Sequence, residues 1–244
     1  MGPYPSLPVA PTLLYEDNHL LAVVKPAGML AQGDATGDPS VVSWAEGYLR
    51  TTYHKPGAAY VALLHRLDRP VGGILLLGKT SKAAARLSAQ FQQRQVQKSY
   101  LALTEQAPTP PLGVLHHYLA KLPGKNIVRA YDTPAYGAQA AELHYRTAAV
   151  AGTGRALVAV QPITGRQHQI RVQLARVGAV IVGDGKYGKS AFLPGGAIAL
   201  FAHRLVVEHP TQKTPLELVA WPTPEGPWAS FADHLRPEGP PCVV

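Results

Sequence analysis

Apolar and polar residues alternate in short runs along most of the chain, and only three stretches carry a helical period. LLYEDNHLLAVVKPAG places two apolar runs around Glu16-Asp17-Asn18, the pattern of a hairpin. VVSWAEGYLR behind Ser40 predicts a short capped helix that Gly47 weakens. GILLLGKT reads as a buried strand. Thr80 or Ser81 then caps SKAAARLSAQFQQRQV, where Ala84, Leu87 and Phe91 share one helical face. SYLALTE, HHYLAKL, AAELHYRTAAV and ALVAVQPI alternate as strands. QHQIRVQLARVG is helical, with Ile170, Leu174 and Val177 inward, Arg171 opposite or along the edge of that face, and Gly178 at its end. ALFAHRLVVEH and TPLELVAWP are the last strands. Strands outnumber helices without regular alternation, which predicts an α+β fold over a doubly wound parallel sheet. Residues 1–11 read as a flexible Pro-rich arm, 12–230 as the folded domain, and 231–244 as a Pro/Gly-rich tail.

Composition narrows the partners. The 244 residues are 46% hydrophobic, enough for one compact domain or two lobes. Lys and Arg number 23 against 15 Asp and Glu, a net charge of +8, which favours encounter with polyanions and puts nucleic acid first among partner classes. Cys242 is the single cysteine, so an intramolecular disulfide or a multi-thiolate zinc site is excluded. The N-terminus lacks the basic and apolar regions of a secretory signal, and no apolar run approaches the roughly 20 residues of a membrane span. A cytoplasmic, monomeric protein without membrane contact is the expectation.

No phosphate-binding GxxxxGK[ST], dinucleotide GxGxxG, GxSxG elbow or HExxH pair is present. His116 and His117 fall on opposite faces of a strand, poor geometry for a shared metal. Neither a metal nor a nucleotide cofactor is expected. What stands out is Asp68, between Arg66 and Arg69 in LHRLDRPVGGILLLGKT, and a second arginine-rich stretch, TGRQHQIRVQLARVGAVIVGDGKYG. An arginine such as Arg171 can pair bidentately with a carboxylate and hold it ionised. From the residues alone, a structural ion pair and an active site both fit. Asp184, in VGDGKYG, reads as a turn residue bonding nearby amides.

These two stretches resemble the HRLDxxTSG and GRxHQIRxHLxxxGxPIxGDxxYG signatures of the RluA-type pseudouridine synthases. LLYEDNHLLAVVKPAGM is similar to that family's opening segment and QKSYLALTE to its K-x-Y segment, in the same order along the chain. The resemblance implies a mixed, largely antiparallel β-sheet core with flanking helices, without a separate S4-type domain ahead of the hairpin. It also implies isomerisation of uridine in structured rRNA or tRNA without a cofactor. Asp68 would be the catalytic carboxylate, Arg171 its orienting cation and Tyr100 the aromatic that stacks on uracil. Attack at the sugar C1′, addition to the ring and proton abstraction from the sugar all require the ionised form of Asp68. Arg66 would take the place of the uridine turned out of its stack, and His65 would support the loop. Arg166 and His168 would contact RNA or support Asp68, support ranking first, and Lys25 would touch phosphate.

The chain departs from the pattern in places. Val71-Gly72-Gly73 replaces Thr/Val-Ser-Gly, removing a hydroxyl and predicting a looser turn. Gln173 stands where histidine is common, and Ala179 where histidine or arginine is usual. A non-catalytic RNA-binding protein is the alternative function, although binding alone gives no use for a carboxylate beside phosphates. A nucleoside hydrolase would need a second carboxylate near Asp68, and Asp184 lies in the other segment.

Overall fold

The structure, a computed structural model, describes residues 9–236. The chain forms an α+β fold with a mostly antiparallel sheet core flanked by helices, divided into two compact units. The first runs to Gln97 and takes in Pro194–Ala197 and Ala202–Ala220; the second comprises Lys98–Leu193, Ile198–Phe201 and the chain from Trp221 onward.

In the first unit, β1 (Thr12–Glu16) and β2 (Leu20–Lys25) form the expected hairpin. Asp17 closes its turn by accepting the backbone N–H groups of His19 and Leu20. α1 (Val41–Thr52) begins at Ser40, whose hydroxyl accepts the Ser43 N–H, and buries Val41, Ala45 and Leu49. β3 (Ala62–Leu63) and β2 both pair with β4 (Gly72–Gly78), a strand buried along its whole length. α2 (Ser81–Gln92) starts at Thr80, which is therefore the cap, and places Ala84 and Leu87 in the core while Phe91 stays half-buried.

In the second unit, β5 (Gln97–Thr104) pairs with β9 (Ala156–Pro162). Next to β9 come β8 (Gln139–Val150), β6 (Leu112–Lys121) and β7 (Val128–Tyr131), all antiparallel. α3 (Gln169–Arg176) packs on this sheet. β10 (Leu200–Glu208) starts in the second unit and continues in the first, where it pairs with β11 (Pro215–Val219).

Several expectations are corrected. β3 and β7 are too short for an alternation to be visible, and β6 begins at Leu112, ahead of the HHYLAKL run. Arg171 does not face outward: every side chain of α3 from Gln169 to Leu174 is buried, because the helix is enclosed on more than one side. Of the arm and tail, residues 1–8 and 237–244 lie outside the described residues. The tail does not begin at 231, since a 3-10 segment spans Gly226–His234 and buries Phe231. No helix among the described residues is long and apolar enough to cross a membrane.

Val71-Gly72-Gly73 is not a loosened turn either. All three residues are buried, and Gly73 has φ 114°, facing the β10 backbone so closely that a Cβ would lie 2.4 Å from the Ala202 carbonyl oxygen. Gly73→Ala is expected to destabilise the chain by roughly 2–4 kcal/mol, because backbone atoms must move to admit the methyl group. Gly47→Ala, in α1 with nothing within 4 Å of the new carbon, is expected to stabilise it by about 0.5–1 kcal/mol. Denaturant unfolding of the two variants checks this opposition.

Candidate active site

The Asp68 loop connects β3 to β4. Its backbone is clamped by the turn that follows β2: the Gly28 N–H donates to the Arg69 carbonyl at 2.7 Å, and the Arg69 Nε donates to the Gly28 carbonyl at 2.9 Å. The Val71 N–H closes the loop on the Asp68 carbonyl at 3.0 Å, and Arg69 extends to Asp38 at 2.7 Å. Asp68 is thereby left half-buried at a fixed place, with Arg66 exposed beside it. Arg66 pairs with no described carboxylate.

Lys25 corrects the sequence reading. Its side chain is 0% exposed, and its ammonium donates to the carbonyls of Pro26, Met29 and Arg69 at 2.8–3.1 Å. A buried ammonium with three acceptors holds the turn to the Asp68 loop and has no surface to offer a phosphate. Burial pulls it down to about 7, with the charge of Asp68 opposing that fall and Arg69 adding to it. The His65 Nε2 accepts the Leu76 backbone N–H at 3.0 Å, and its ring stacks on Phe91 at 4.9 Å. That acceptor role assigns the ring proton to Nδ1.

The second unit holds Tyr100, Arg166, His168 and Arg171. Tyr100 is half-buried on β5. Arg171 is 2% exposed, and its Nε and Nη2 donate to the two carboxylate oxygens of Asp184 at 2.7 and 2.8 Å. Asp184 also accepts the Lys186 N–H, as a turn residue would, but its larger task is to fix the guanidinium plane. Tyr187 adds to this, its ring centroid 5.3 Å from the Arg171 guanidinium carbon. Neither role was visible in the sequence, where Asp184 carries only a turn signal; the GDxxYG match was the available clue.

His168 caps α3 with left-handed backbone, φ 53° and ψ 18°, and its Nδ1 lies 2.6 Å from the Tyr187 hydroxyl. At 7% exposed it offers little surface to RNA. Arg166 is half-buried, and its Nε donates to the Ala140 carbonyl. The loop that carries it is tied down through Gln169, whose Oε1 accepts the Arg166 N–H and the Thr164 hydroxyl while its amide donates to the Glu142 carbonyl.

The chain is similar to known proteins. A family model described as RNA pseudouridylate synthase matches residues 19–176. The ribosomal large subunit pseudouridine synthase C of Rickettsia typhi is 32% identical over 182 residues, covering 75% of this chain and 58% of that protein. The chain thus spans less than two thirds of the length of such relatives. The tRNA pseudouridine synthase C of Yersinia pestis is 30% identical over 248 residues, 92% of this chain and 94% of that one. The solved human RNA pseudouridylate synthase domain containing 4 has a TM-score of 0.70 at 25% identity, covering 86% of this chain and 87% of its own. With the family's signature running through the Asp68 loop, β5 and α3, the chain belongs to the RNA pseudouridylate synthase family.

Proposed function

We propose that the protein isomerises uridine to pseudouridine in structured ribosomal or transfer RNA, with Asp68 as the catalytic carboxylate. The C1′–N1 bond breaks, a C1′–C5 bond forms, the C5 hydrogen leaves to solvent and N1 takes up a proton. Redox balance is kept, so the chemistry calls for a positioned base or nucleophile and no electron carrier. The observation that carries this reading is the clamped Asp68 loop: Lys25 and the Gly28 turn fix the backbone at Arg69, next to the carboxylate, in a chain of this family whose HRLD motif is intact. Catalysis needs a group held in place before substrate arrives, whereas a binding surface does not.

Arg171, its plane set by Asp184, is assigned to orient the carboxylate, and Tyr100 to stack on the uracil. Arg66, exposed beside Asp68, is assigned to fill the gap left by the uridine. We place the reaction in the cytoplasm, on a monomer. Incubation with RNA from cells lacking the protein, followed by nucleoside digestion, is expected to show uridine replaced by an isomer of equal mass and different chromatographic retention. An unchanged nucleoside profile across all cellular RNA fractions counts against the reading.

RNA binding itself should depend on salt. With a net charge of +8, neutralising about four phosphates lowers affinity about a hundredfold between about 50 and 200 mM salt. A flat response in a filter-binding titration would remove the basic surplus from the interface.

A further inference from the structure

Lys98 is a half-buried cation for which the roles above have no use. Burial lowers its affinity for a proton, and no nearby carboxylate restores it. Among the described residues no acid forms an ion pair with it. An ammonium partly withdrawn from water without an anion is less favourable in the free protein than when a ligand brings the missing charge.

Its position says what that ligand is. β5 alternates, with Ser99 and Leu101 buried and Lys98 and Tyr100 half-buried, so Lys98 and Tyr100 share a face. Two residues along a strand are about 6.6 Å apart, the scale of a single nucleotide from base to phosphate. The head of Lys98 emerges beside exposed Gly165: a Cβ there would lie 3.6 Å from the Lys98 Nζ, with no other atom within 4 Å. The bare glycine leaves the ammonium open to a bulky anion, and Gln169 and Thr164 fix the loop around it.

We propose that Lys98 contacts the backbone phosphate of the nucleotide whose base stacks on Tyr100. The inference rests on the reading of the protein as an enzyme acting on RNA uridine. Lys98 binds and positions the nucleotide and takes no part in making or breaking its bonds.

The test compares wild type, Lys98→Met, Lys98→Arg and Gly165→Ala on cellular RNA tritiated at uracil C5, prepared from cells lacking the protein. Lys98→Met should raise KM about tenfold with kcat nearly unchanged, and should reduce the salt slope of RNA binding by about 0.7 to 0.9. Lys98→Arg should restore most of both. Gly165→Ala, whose methyl group meets no backbone, should raise KM by crowding the phosphate. Without RNA, Lys98→Met should melt no lower than wild type, because it removes an uncompensated charge. An unchanged KM and salt slope in active Lys98→Met overturns the inference, as does a loss confined to kcat. If wild type releases no tritium, the functional reading fails, and the salt slopes of the same proteins decide the role of Lys98 independently.

Discussion

Asp68→Asn is expected to abolish turnover while RNA affinity stays within about twofold of wild type. The substitution keeps the shape of the side chain and removes its charge, and each proposed route to pseudouridine draws on that charge. The Gly28–Arg69 and Lys25–Arg69 bonds that clamp the loop use no side-chain atom of Asp68, so they persist in the variant. A melting temperature close to wild type, together with retained RNA binding, separates lost chemistry from lost structure. Residual turnover within about tenfold of wild type would remove Asp68 from the chemical step.

The second large effect concerns Arg171. Arg171→Met leaves Asp184, 1% exposed, without the guanidinium that takes both of its oxygens, and a buried carboxylate stripped of its partner costs about 3–5 kcal/mol. Activity should fall as well, but the instability alone would obscure the cause. The double variant Arg171→Met with Asp184→Leu removes both charges and should recover most of the stability, since replacing a whole buried pair with apolar groups is often neutral. If it folds like wild type and remains inactive, Arg171 serves catalysis beyond its structural pair. Full activity in the double variant would assign the pair to architecture alone.

Much of the fold is legible from local chemistry. The β1–β2 turn, the Ser40 and Thr80 caps and the apolar run of β4 announce themselves through residues close in sequence. β3 and β7 do not, because strands of two and four residues exist through their partners and leave no period of their own. Arg171 shows the same limit at the site. Helical spacing puts a charged residue on the outer face, and partners further along the chain, Asp184 and Tyr187, make its burial tolerable. Lys25 was misread for a similar reason: its acceptors are main-chain carbonyls, which every sequence contains and no sequence pattern marks. Asp68 and Tyr100 are singled out by family resemblance alone, since an isolated Asp or a strand Tyr carries no chemical signature.

The most direct test of the proposed activity is tritium release from RNA labelled at uracil C5, taken from cells lacking the protein and treated with wild type or Asp68→Asn. Forming the C1′–C5 bond expels that hydrogen. Release by wild type and none by Asp68→Asn, at equal RNA binding, is the expected result. Equal release by both would contradict the assignment of Asp68, and bound RNA without release by either would contradict the proposed activity.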